Sequence, residues 1–69
     1  MAIEFVAQRL TMGDVVLVDV PGQEEVEATV VRDPVRTLTS VQVTLRVEGR
    51  EDFVKEWGLG EMVTVLRGP

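Results

Sequence analysis

Over much of this chain every second residue is aliphatic, and fifteen of its 69 residues are valine. Branching at Cβ stiffens χ1, favours extended backbone and packs well on a pleated surface. Period-two spacing sends alternate side chains to opposite faces of a strand. The chain is therefore written as a small all-β domain, with one side of each strand excluding water.

Five strands are predicted. The first is Val15–Val20, closed by Pro21-Gly22, a pair suited to the central positions of a type II turn. The second is Glu25–Arg32, with Val26, Ala28 and Val30 on one face and Glu25, Glu27 and Thr29 on the other. Asp33-Pro34 then starts a loop, because proline lacks a ladder donor and restricts its predecessor. The third strand is Thr39–Val47, with Val41, Val43, Leu45 and Val47 inward. Asp52–Trp57 is the fourth and Met62–Arg67 the fifth, after a break at Gly58-Leu59-Gly60. The opening segment reads two ways. Ile3, Val6, Ala7 and Leu10 have helical spacing, whereas Ile3-Glu4-Phe5 suits a short strand leading into a turn at Thr11–Gly13. The strand is preferred, because so short a helix is marginal in water.

Facing requirements constrain register. The second and third strands keep their apolar faces together when Val26 meets Leu45, Ala28 meets Val43 and Val30 meets Val41. That pairing also sets Glu25 opposite Arg46. The next hairpin has two solutions. A two-residue type II′ turn at Glu48-Gly49-Arg50-Glu51 pairs Leu45 with Val54 and turns Phe53, Lys55 and Trp57 outward. A looser loop shifts the register by one residue and turns Phe53 and Trp57 inward.

Five short strands in residues 1–69 point to one domain, a small antiparallel barrel or two packed sheets, with a short extra strand or helical turn at the N-terminus. The arrangement resembles the SH3-like barrel superfold. The Ala7–Val16 stretch, in which Gly13-Asp14 launches a strand, is similar to openings of KOW- and Tudor-type barrels. Gly13-Asp14-Val15-Val16-Leu17-Val18 is also echoed by Gly60-Glu61-Met62-Val63-Thr64-Val65, either because one kind of turn feeds both strands or by chance.

Composition removes many function classes. Cysteine, histidine and tyrosine are absent, which eliminates disulfides, the usual zinc ligands and His-activated nucleophiles. Ser40 sits at a strand start and is read as structural, and Lys55 fits an amphipathic strand. Glu24, Glu25 and Glu27 are read as a solvated face rather than a cation loop, which needs a tight turn of oxygens. No glycine-rich phosphate loop is present. No catalytic residue, metal ligand or cofactor is expected. Twelve acids against seven bases give a net charge of −5, which repels phosphate backbones and anionic membranes. Met1-Ala2-Ile3-Glu4 carries no basic leader, and Val15–Val18 is too short to cross a bilayer, so a cytoplasmic location without a membrane partner is expected.

The chain thus reads as a non-enzymatic interaction module. Its partner is expected to be another protein, bound at an exposed strand edge or on the face of the third and fourth strands. The same edge could pair two copies as a homodimer. The candidate surface is Arg32, Arg36, Arg46, Arg50, Phe53, Lys55 and Trp57. With its aromatics outward, that set would also suit nucleic acid, the second choice for an acidic chain.

Overall fold

The computed structural model describes residues 2–69 and forms one curled antiparallel sheet shaped as a half-barrel. Its strands are β1 (Ile3–Val6), β2 (Val15–Val20), β3 (Gln23–Val30), β4 (Val35–Arg36), β5 (Ser40–Arg46), β6 (Phe53–Gly58) and β7 (Met62–Arg67). Neighbours run β1-β7-β2-β3-β5-β4, and β6 also pairs with β5. The all-β expectation holds, and β2 and β7 occupy the predicted residues. Both readings of the opening segment contribute. Ile3–Val6 is a strand against β7, and Ala7–Arg9 follows as one 3-10 turn.

Alternation produces the interior as expected. Val16, Val18, Ala28, Val30, Val41, Val43, Leu45, Val47, Val63 and Val65 are all buried, joined by Ala7 and Leu10 from the opening segment. These side chains are compact, and Phe53 and Trp57 pack half-buried against them.

Two register expectations need correction. Val30 meets Leu45 rather than Val41, and Thr29 rather than Glu25 meets Arg46. The reason is β4, which the sequence reading had left as loop. Val35 and Arg36 pair with Gln42 and Val41, so they occupy the half of β5 that β3 had been assigned. Parity survives the slip, since an even shift keeps apolar faces together. In the second hairpin the type II′ turn is not formed. Arg50 N–H donates to Val47 O, placing the tight turn one residue earlier. Leu45 therefore meets Phe53, Val43 meets Lys55 and Val41 meets Trp57. The looser of the two loops is the observed one, and Val54 is turned outward, 62 % exposed.

The echoed hexapeptides begin with the same device. Asp14 N–H donates to Thr11 O, and Glu61 N–H donates to Gly58 O. Each turn carries a glycine at positive φ, +98° at Gly13 and +86° at Gly60, where a side chain would be strained. Each acid then reaches back to the first residue of its turn: Asp14 Oδ2 accepts Thr11 N–H, and Glu61 Oε2 accepts Gly58 N–H. One kind of turn does feed both strands.

Candidate functional site

β6 has a single hydrogen-bonded neighbour, β5, which leaves its other side free. Which backbone groups face that side follows from alternation in an antiparallel ladder. Leu59 N–H donates to Thr39 O, so Leu59 lies at a hydrogen-bonded position. Trp57, Lys55 and Phe53 repeat it at every second residue and direct their backbone groups to β5. Val54, Glu56 and Gly58 direct theirs away. Glu61 already occupies the Gly58 N–H. The open edge therefore consists of the N–H and C=O groups of Val54 and Glu56.

This edge looks across an open cleft towards β2. One end is lined by Asp19, Val20, Pro21, Arg50, Glu51, Asp52 and Phe53, with a volume of about 510 Å3. The other end, about 270 Å3, includes Leu17, Asp19, Glu25, Lys55, Trp57 and Thr64. Asp19 belongs to both, so the two ends run together. The cleft exists because β7 pairs with β2 only at Val15–Arg67 and Val16–Val65, after which the strands diverge. A bulge bends the same region. Glu24 and Glu25 together oppose Asp19, whose Oδ1 accepts Glu25 N–H at 2.9 Å. Glu25 adopts φ +50°, uncommon for a residue with a side chain.

The seven residues singled out from sequence do not form one patch. Phe53, Lys55 and Trp57 share the inner side of β6, and Lys55 Nζ lies 5.8 Å from the Trp57 ring centroid, within cation–π range. Arg36 shares a cross-strand row with Trp57, separated from it by Val41. Arg46 lies on the opposite face and pairs through two hydrogen bonds with Asp52. Arg50 bridges hairpins, donating to Pro21 O at 2.6 Å and to Gln23 Oε1. Arg32 is exposed in the loop after β3.

Electrostatics follow from these pairings. The hydrogen bond from Arg46 holds the Asp52 carboxyl below its ordinary value, and Asp52 in turn raises the guanidinium. Among the described residues the ion pairs are Arg46–Asp52 and Arg67–Glu27. Neither involves the cleft carboxylates Asp19, Glu25 or Glu51. Ser40 is buried because its hydroxyl is fully used. It donates to Glu56 Oε2 at 2.8 Å and shares a 2.8 Å hydrogen bond with Thr37.

Sequence reasoning missed the far wall of the cleft: Asp19, Glu25 and Thr64. It also missed Val54 as an edge residue. A polar residue inside the otherwise apolar Val15–Val20 run was the available signal for Asp19. No local signal marks Glu25, whose position depends on the bulge. No helix among the described residues is long and apolar enough to cross a membrane. No protein-family model matches the chain, and no curated protein or solved structure matches it significantly.

Proposed function

We propose that this chain is a non-enzymatic interaction domain that binds another protein by accepting an extended segment along β6. The carrying observation is the free β6 edge, with Val54 and Glu56 directing unpaired backbone groups across the cleft towards β2. Strand addition draws affinity from main-chain hydrogen bonds and selectivity from alternate side-chain positions. β6 offers both. Its inner side presents Phe53, Lys55 and Trp57, and its outer side presents Val54.

Random peptides displayed on phage and selected on the folded domain test this reading. Selected peptides should shift the 15N amide resonances of Val54, Glu56 and Asp19. Val54→Pro should abolish their binding, since it deletes an outward donor and leaves the ladder to β5 intact. Selected peptides that map to the β1 edge, and bind Val54→Pro unchanged, would count against the proposal.

A further inference from the structure

Resting on strand addition at β6, the charges around the cleft specify the chemistry of the added segment. Arg50 and Lys55 are the bases of the cleft, and both are engaged: Arg50 with Pro21 O and Gln23, Lys55 over the Trp57 ring. Asp52 is neutralised by Arg46. Asp19, Glu25 and Glu51 remain as exposed carboxylates with no basic partner among the described residues. Two stand on the β2–β3 hairpin, facing β6, and Glu51 stands where the chain enters β6.

We infer that the β6 edge takes an extended segment of a different protein bearing Lys or Arg at every second position. The basic side chains lie in the cleft towards Asp19, Glu25 and Glu51. The intervening residues fall on the outer face beside Val54, where apolar contact is available. A second copy of β6 is the poorer occupant. Antiparallel pairing of Val54 with Glu56 sets Lys55 against Lys55. Pairing Glu56 with itself opposes two carboxylates, and pairing Val54 with itself sets Asp52 against Glu56. Like charges directly opposite weaken a ladder.

Three soluble peptides test the inference: lysine alternating with threonine, glutamate with threonine, and serine with threonine. Affinity is read from the Val54 and Glu56 amide shifts. The lysine peptide should bind about tenfold more tightly than the serine peptide at low salt, and the advantage should shrink as ionic strength rises. The double variant Asp19→Asn, Glu51→Gln should lose most of that advantage. Glu4→Gln, Glu24→Gln, which changes net charge equally outside the cleft lining, should keep it. Equal binding of the lysine and serine peptides at β6 would overturn the charge assignment and leave strand addition standing. Equal loss in both double variants would do the same, by reducing the preference to net charge. Failure of all three to bind overturns the inference as well. Shifts confined to other strands, unaffected by Val54→Pro, would remove strand addition too. Light scattering that shows a dimer dissociated by Val54→Pro would seat a second copy on the edge and overturn a foreign partner.

Discussion

Glu25 is the residue at which backbone conformation and side-chain identity disagree most. Its φ of +50° is a region glycine occupies freely and other residues occupy at a cost of about 1 kcal/mol. Glu25→Gly should therefore raise stability by about 1 kcal/mol, a few degrees in Tm for a domain of this size. A thermal melt checks it, and an unchanged or lower Tm would show that the bulge carries no strain. The same variant should weaken binding of a basic segment, because strain retained at a recognition site trades stability for function. Asp52 supports a second prediction at this scale. Its carboxyl is depressed because Arg46 favours the ionised form. The stability it contributes is present above the ordinary carboxylate value and is lost as pH falls through the lower folded one, an acid window below about pH 4. In Arg46→Gln the Asp52 carboxyl, followed by NMR titration, should move up towards the ordinary value. An unmoved midpoint would mean that the guanidinium does not hold it.

Among the elements, the paired turns before β2 and β7 make a contrast that mutation can expose. Asp14 is buried and accepts Thr11 N–H, whereas Glu61 is exposed and covers an edge donor at Gly58. Asp14→Ala should cost about 1–2 kcal/mol, typical of a lost carboxylate cap, measured as a drop in urea midpoint with unchanged slope. Glu61→Ala should cost less and leave Gly58 N–H free. The open edge then gains a third residue, so a strand-adding peptide should bind Glu61→Ala more tightly than the parent. Weaker binding would indicate that Glu61 orders the edge instead of limiting it. The turn pattern behind this contrast was readable beforehand, because glycine followed by an acid is a local signal. β4 was not readable, since a two-residue strand carries no periodicity of its own. Its presence is what displaced β3 along β5.

For the whole molecule, interior and cleft differ in how they are encoded. Which residues face inward depends on alternation within a strand, so Val41, Val43, Leu45 and Val47 were identifiable from spacing alone. The cleft depends on where β2 and β7 part and on which register β6 adopts, choices made between residues far apart in the chain. One residue of slip in the β5–β6 loop decided whether Phe53 and Trp57 point in or out, and spacing could not arbitrate. The interior so encoded is thin. A core in a chain this short rarely supplies more than about 3–5 kcal/mol. Leu45 is the largest fully buried side chain, in contact with strands on both sides of β5. Truncation of a buried leucine to alanine costs about 2–5 kcal/mol, a quantity comparable with the whole stability. Leu45→Ala should therefore leave the domain largely unfolded at 25 °C, with collapsed amide dispersion and Trp57 emission shifted to the red. Val54→Pro, on the outer face, should retain a cooperative melt. If Leu45→Ala instead melts cooperatively near the parent Tm, the half-barrel interior is not what holds the chain together, and the β6 cleft loses the rigid wall that strand addition needs.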